Sequence, residues 1–334
     1  MTPKRRIIPV FIPHAGCEHE CVFCDQRRIT GAIAPVLEDG MLKIDNFKPD
    51  NAAAELAFYG GSFTAIPVEK QNELLTAAQP FLRLNPLNSI RLSTRPDCID
   101  VQTIARLKNF GVATVELGAQ SMCDDVLSLS QRGHTASDAA RAAKLITDSG
   151  LALILQMMTG LPGDSREKSL YTAARFVEMR PNGVRIYPTV VVRGTLLHDM
   201  WRRGDYAEHT VEQAVELCAQ LLEVFNSAGI PVIRLGLNPS PTLSAGDAVA
   251  GAYHPALGEL VYSKVYYNKA AKLLENAAPG SDITLAVTRG HVSMMIGQHR
   301  RNIEALKKKF SLHSIKVIGL FLSGEIKIEI APKK

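Results

Sequence analysis

Short apolar and β-branched runs recur about every thirty residues as far as position 237, and apolar residues at helical spacing fill the intervals. Strands are expected over residues 7–13, 56–60, 90–94, 114–118, 153–157 and 184–187, with a further one at 232–237. Helices are expected over 68–81, 101–110, 137–149 and 168–178, the third opened by a capping box at Thr135-Ala-Ser-Asp138. Repeated βα units fold into parallel sheets covered by helices. The fold class is therefore α/β, a parallel barrel, complete or partial, read as a partial (β/α)6-type parallel barrel. In such barrels the chemistry collects where strands end.

The first strand runs into His14-Ala-Gly-Cys-Glu-His-Glu-Cys-Val-Phe-Cys-Asp25, which places Cys17, Cys21 and Cys24 at C-x3-C-x2-C spacing. Three soft ligands without a fourth nearby suit a cubane iron–sulfur cluster with one open iron. A zinc site stays open as the alternative, with His14 or His19 or a distant residue closing a set of four. Cys98, Cys123 and Cys218 stand alone, so the cysteines do not read as a disulfide framework. The basic opening is followed by an apolar run that Pro9 and Pro13 break, and no later run is long enough to span a bilayer. A reduced, cytoplasmic setting and no membrane partner are expected.

Each later strand ends in an unusual segment. Phe58-Tyr-Gly-Gly-Ser-Phe-Thr64 has two glycines that allow a tight turn or a close backbone approach to a ligand. In Ser93-Thr-Arg-Pro-Asp97, Pro96 ends the strand, and Arg95 can reach a carboxylate at the mouth or its neighbour Asp97. Glu116 and Gln120 in Glu116-Leu-Gly-Ala-Gln-Ser121 demand partners, from a ligand or from a polar network. Arg132-Gly-His134 follows at the same rim. Gln156-Met-Met-Thr-Gly-Leu-Pro-Gly163 supplies a turn whose backbone is suited to an adenine or ribose pocket. Arg185 and Tyr187 alternate in the sixth strand and so share one face.

The cysteine spacing resembles the signature of the radical S-adenosylmethionine (SAM) superfamily. That resemblance implies a 4Fe–4S cluster on Cys17, Cys21 and Cys24, with SAM bound to the open iron. One electron then splits SAM into methionine and a 5′-deoxyadenosyl radical. By position it implies Phe23 beside the adenine and Gly60, Gly61 and Ser62 at the SAM ammonium, although Ser62 stands where the family often has an acid. Thr94, Arg95, Gln120, Gln156 and Arg185 complete the implied SAM contacts. The catalytic hydrogen donor is unassigned, with Tyr187 and Cys123 as formal candidates. The ordered segments at 94–97, 116–121, 132–135, 157–163 and 185–189, then Val232-Ile-Arg-Leu-Gly236 and Gly251-x-x-His254-Pro255, narrow the likeness. Over roughly residues 5–265 they resemble the radical SAM domain of the catalytic subunit of Elongator, whose substrate is tRNA at the wobble uridine. Two departures are a shorter gap between the first two cysteines and too few residues after 280 for an acetyltransferase, so acetyl-CoA chemistry is not implied.

Net charge is +5 over 334 residues, yet residues 281–334 alone hold ten Lys/Arg against four Asp/Glu, leaving the rest near neutral. Their order reads as strand 283–287, helices 291–296 and 301–310, and strands 315–318 and 325–330. The junction Ile296-Gly-Gln-His-Arg-Arg-Asn-Ile303 resembles the helix–loop–helix of a KH domain, which clamps single-stranded nucleic acid. The resemblance implies RNA contacts from Gly297, Arg300, Arg301, Lys307, Lys308 and Lys309; Arg300 stands where that module has its second glycine. The expected domains are a radical SAM barrel at 1–240, a helical extension and linker at 241–280, and a small α+β KH-like unit at 281–334.

The reading is a radical SAM enzyme acting on tRNA or another structured RNA, supplied with electrons by a flavodoxin or ferredoxin. Two readings compete with it. One is a small-molecule radical SAM enzyme resembling oxygen-independent coproporphyrinogen oxidase; the other is a non-catalytic zinc or RNA-binding protein.

Overall fold

The computed structural model describes residues 6–12, 14–17, 21–25, 28–29, 37–38, 41–42, 53–86, 88–320 and 328–330. His19 and residues 325–327 of the last expected strand lie outside them. Contacts divide the chain into two units, Met1–Thr210 with Val224–Tyr253 and Val211–Glu223 with His254–Lys334.

The larger unit is built on seven parallel strands. They are β1 (Arg6–Phe11), β2 (Ala54–Tyr59), β3 (Ser89–Thr94), β4 (Val112–Gln120), β5 (Ala152–Thr159), β6 (Gly183–Pro188) and β8 (Val232–Leu235). They lie side by side in chain order, and β1 and β8 form the two edges of an open sheet. The intervening β7 (Val190–Val192) pairs antiparallel with β9 (Ala248–Gly251). All seven strands fall where apolar periodicity predicts them.

The four expected helices are present with one correction, and three unforeseen ones join them. Residues 68–81 form two helices, α1 (Val68–Ala77) and α2 (Gln79–Leu84), because Pro80 lies in the first turn of the second. Proline has no N–H for the helical ladder and clashes with the preceding turn, so the first helix stops. Then come α3 (Val101–Asn109), α4 (Asp124–Leu129), α5 (Ala136–Asp148), α6 (Arg166–Met179), α7 (Leu196–Arg203) and α8 (Val211–Ser227), of which α4, α7 and α8 are the unforeseen ones. The Thr135–Asp138 capping box opens α5 as expected. No helix among the described residues is long and apolar enough to cross a membrane.

Strand alternation sorts the side chains of this sheet into two populations. Leu56, Phe58, Ile90, Leu92, Val115, Leu117, Leu155 and Ile186 are completely buried, each removal from water contributing about 1.5–3 kcal/mol. The residues between them point the other way and line a cavity: Glu55, Tyr59, Arg91, Ser93, Thr114, Glu116, Gln156 and Arg185. A closed eight-stranded barrel fills its interior with branched apolar side chains. This half-barrel keeps a polar lumen, which is room for a ligand.

In the smaller unit, β10 (Asp282–Thr288) pairs parallel with β11 (Ser314–Leu320) and antiparallel with β12 (Ile328–Ile330). Helices α10 (Val292–Ile296) and α11 (Arg301–Phe310) connect β10 to β11, as the C-terminal pattern predicts. Helix α9 (Leu257–Leu273) belongs here too: Tyr266 and Ala270 share one core with Leu285, Met295, Ile303 and Leu306. The turn at 277–280 therefore lies inside this unit.

Candidate active site

The cysteine loop is held in place by main chain. His14 N–H donates to the Gly60 carbonyl at 2.9 Å, and Ser62 N–H donates to the Ala15 carbonyl at 2.8 Å. Farther along, Val22 accepts from Leu197 N–H at 2.7 Å and donates to the Ser130 carbonyl at 3.3 Å. This explains the second glycine of the pair. A Cβ on Gly61 would sit 2.5 Å from the Ala15 carbonyl and 2.7 Å from that of Ile12, so only glycine lets the two loops interlock.

Cys17, Cys21 and Cys24 line one cavity of about 1540 Å³ together with all nine candidate SAM contacts: Phe23, Gly60, Gly61, Ser62, Thr94, Arg95, Gln120, Gln156 and Arg185. Among the described residues no three His, Cys, Asp or Glu side chains gather closely enough to hold one metal ion. A cubane spreads three thiolates over three irons, so this donor set needs sulfurs around an open space, not a closed tetrahedron. The three cysteines fit that requirement. Cys17 stands at the mouth, where partial desolvation and the Cys21 sulfur raise its pKa and Arg95 and Arg132 act the other way.

The remaining candidates differ in how far the protein already occupies them. Ser62 accepts from Arg95 N–H at 3.0 Å and lies 3.3 Å from the Thr94 hydroxyl, which in turn is 2.5 Å from that of Thr64. The Arg95 side chain makes a bidentate pair with Asp97 at 3.1 and 2.8 Å, leaving Nη1 buried without a partner. Gln120 adopts φ +63° although it is buried, and its Oε1 accepts from Gln156 at 3.3 Å. A left-handed non-glycine residue on a cavity wall is strained backbone of the kind found at functional sites. Arg185 is committed deeper in the lumen, donating to Tyr59 Oη and Glu116 Oε1 at 2.8 Å each and to Tyr187 Oη at 3.2 Å.

Three residues of the lumen and rim carry more weight than their sequence context suggested. Glu55 and Arg91 pair through Arg91 Nε at 3.1 Å, and Arg91 Nη1 reaches Glu116 Oε1 at 2.8 Å. Their signal was available as polar residues at alternate positions of strands otherwise apolar. Arg132 is the third. It is 7 % exposed, donates to Cys21 Sγ at 3.0 Å and to the Gly118 carbonyl at 2.9 Å, and lies over the Phe23 ring. Its Nε is buried without a partner, and no carboxylate pairs with it among the described residues. A buried cation without an acid is costly, which marks this corner as a place for an anion.

The Gly-Leu-Pro-Gly loop turns out differently from its expected role. A Cβ on Gly163 would meet Leu129 at 2.5 Å, and the Gly160 carbonyl accepts from Tyr206 Oη at 2.6 Å. Packing against protein accounts for this loop, and none of its residues 160–163 lines the cavity.

His134 Nε2 lies 3.2 Å from the Ala119 carbonyl, and burial followed by the Arg132 charge lowers its pKa to about 4. Unfolded histidine takes up its proton near pH 6.5. Above that pH both states are neutral; below it the unfolded chain alone binds the proton. Stability should fall by about 3 kcal/mol as pH drops from roughly 6.5 to 4. Denaturant titrations at the two ends of that window should show a smaller loss in His134→Gln than in the native chain.

The RNA candidates lie on the smaller unit. Gly297 and Arg300 bound the loop between α10 and α11, Arg301 opens α11, and Lys307, Lys308 and Lys309 occupy its last turn. Gly297, His299 and Arg300 all have positive φ, at +74°, +51° and +62°. Beside the loop a small cleft is lined by Ile296, Ile303, Ile315 and Val317, with Arg300 and Lys316 among its walls.

An open parallel half-barrel carrying three thiols on the loop after its first strand is the architecture of SAM-dependent iron–sulfur enzymes. The chain belongs to the radical SAM superfamily: residues 11–175 match the superfamily model and residues 181–267 match the radical SAM C-terminal domain. The superfamily's cofactors are a 4Fe–4S cluster and SAM. One relative is a tRNA uridine(34) acetyltransferase of Methanocaldococcus infernus, 26% identical over 303 residues, covering 77% of this chain and 55% of the relative. Another is the Elongator complex protein 3 of Mus musculus, 28% identical over 232 residues, covering 63% of this chain and 41% of the relative. The chain thus spans about half the length of these relatives. A similar solved fold is the archaeal Methanocaldococcus infernus Elp3 with its N-terminus deleted, at TM-score 0.59 and 24% identity, covering 79% of this chain and 63% of that one.

Proposed function

We propose that this chain is a radical SAM enzyme that modifies a base of tRNA. The observation that carries the reading is the convergence of three thiols, a buried unpaired arginine and a polar lumen on one cavity. Bound here, a 4Fe–4S cluster and SAM would supply reductive radical chemistry, and Cys17, Cys21 and Cys24 would hold three of the irons. The main chain of Gly60, Gly61 and Ser62 is suited to the SAM ammonium, and Arg132 to its carboxylate through a charge-assisted hydrogen bond. Phe23 lies beside them as an apolar wall for the adenine. Gln120 and Gln156 offer amide groups for the ribose, with Thr94 and Arg95 buttressing the Ser62 loop. Arg185 is better suited to shaping the lumen wall than to holding SAM, because Glu116 and two tyrosines already engage it.

The tRNA part of the reading is supported by the names of the relatives and by the smaller unit. Its apolar cleft, flanked by Arg300 and Lys316, suits an unstacked base, and its lysine run suits phosphates. A cytoplasmic setting and a flavodoxin or ferredoxin as reductant complete the proposal. Nucleoside mass analysis of tRNA from a deletion strain tests it: a lost or shortened modification is expected. An unaltered tRNA profile with one changed small metabolite would point to small-molecule chemistry instead.

The charge on α11 makes a separate prediction. Replacing Lys307, Lys308 and Lys309 by glutamine should weaken tRNA binding and reduce the slope of log affinity against log salt by roughly two. These side chains are part-exposed or exposed, so the fold should survive. Filter binding across a salt series reads the change directly, and an unaltered slope would remove this helix from the RNA contact.

A further inference from the structure

The charges lining the cavity are almost entirely committed to one another. Glu55 and Glu116 balance Arg91 and Arg185 in a closed network, and Arg95 is paired with Asp97. Every hydrogen bond into Glu116 from Tyr59, Arg91 and Arg185 arrives at Oε1. The stretch of lumen around these four groups is therefore polar but electrically neutral. A polyanion pushed between them would lose its hydration without gaining a free cation there, and burying an unpaired charge is costly. An uncharged planar group with hydrogen-bonding edges meets no such penalty.

Two lining guanidiniums stand outside this balance. Arg132 is beside the cysteines. Arg234 is on β8, the edge strand, in register with Arg185 of β6. Among the described residues its one side-chain hydrogen bond runs from Nε to the Gly236 carbonyl at 3.0 Å, and no acid pairs with it. The side chain is half-buried, lines the cavity, and leaves both terminal nitrogens available for a ligand.

We propose that Arg234 is the substrate anchor of this cavity, pairing with a phosphate of the nucleotide whose neutral base enters the lumen. The proposal deepens the tRNA reading and rests on it. Arginine suits the task because its planar fork meets a phosphate through two parallel hydrogen bonds. Position and charge divide the labour: the closed network selects for a neutral base, and the edge strand holds the anionic backbone outside it.

The test is equilibrium binding of tRNA to the full chain across a salt series, for the native protein, Arg234→Gln and Arg234→Lys. Arg234→Gln should bind about tenfold more weakly and lower the slope of log affinity against log salt by about one. Arg234→Lys should keep the slope while losing part of the affinity, because charge survives and the fork does not. A purely structural role would weaken binding without changing the slope. If Arg234→Gln keeps the native slope while the native chain binds tRNA, the anchor is elsewhere and the tRNA reading stands. If the native chain fails to bind tRNA and instead binds a small polycarboxylate, both the reading and the anchor are overturned.

Discussion

Replacing any one of Cys17, Cys21 or Cys24 by alanine should abolish cluster assembly and reduce 5′-deoxyadenosine release from SAM to background. Each thiolate is assigned to a different iron, so none can substitute for another. The loop itself should persist in the variants, because main-chain hydrogen bonds from His14, Ser62 and Leu197 hold it, not the sulfurs. Anaerobic reconstitution checks this: brown protein with stoichiometric iron and sulfide for the native chain, colourless folded protein for each variant. A single-cysteine variant that still bound a full cluster and cleaved SAM would refute the assignment. Replacement of Cys98, Cys123 or Cys218 should leave assembly unchanged.

Glu116→Gln should be the most destabilising single change in the lumen. Glu116 is almost fully buried and joins two guanidiniums and the Tyr59 hydroxyl through one oxygen. With the acid gone, Arg91 retains Glu55, whereas Arg185 is left buried with no carboxylate. Breaking a buried pair in this way costs about 3–5 kcal/mol, a fall in Tm on the order of 10 °C for a domain of this size. Thermal unfolding measures the loss. Adding Arg185→Met to Glu116→Gln should recover part of it, because the uncompensated charge is removed and the coupling between the sites is then read from a double-mutant cycle. Equal and additive losses would mean that the two residues are not energetically joined.

The strands were legible from the chain because each buries one face under helices, and a buried face must be apolar at every second position. Leu56 with Phe58 and Ile90 with Leu92 carry that pattern plainly. Helix ends were legible where side chains make them, as at Thr135, and misjudged where a proline divides an apolar stretch, as at Pro80. That the candidate cofactor residues gather on one cavity was legible through spacing and strand-end position. Their individual burdens were not. Arg95 meets its sequence neighbour Asp97, while Arg185 meets Tyr59 and Glu116 from two other strands. The glycine pair at 60–61 suggested a ligand cradle, and part of its purpose is to let the cysteine loop approach. Nothing local in Gly160-Leu-Pro-Gly163 distinguishes a turn packed on protein from one lining a pocket.

From sequence alone followed the parallel α/β class, three thiols at cluster spacing, the helix–loop–helix near residue 297 and the basic C-terminal segment. These are short-range properties, set by periodicity and by neighbours along the chain. Only the tertiary structure decided which charges cancel, that Arg132 faces Cys21 across 111 positions of sequence, and that Arg234 is left without an acid. Pairing of buried charges depends on strand register and on which faces turn inward. Side chains far apart in the chain acquire partners only when neighbouring strands are laid side by side, so a site built from seven strands becomes readable only once they are assembled.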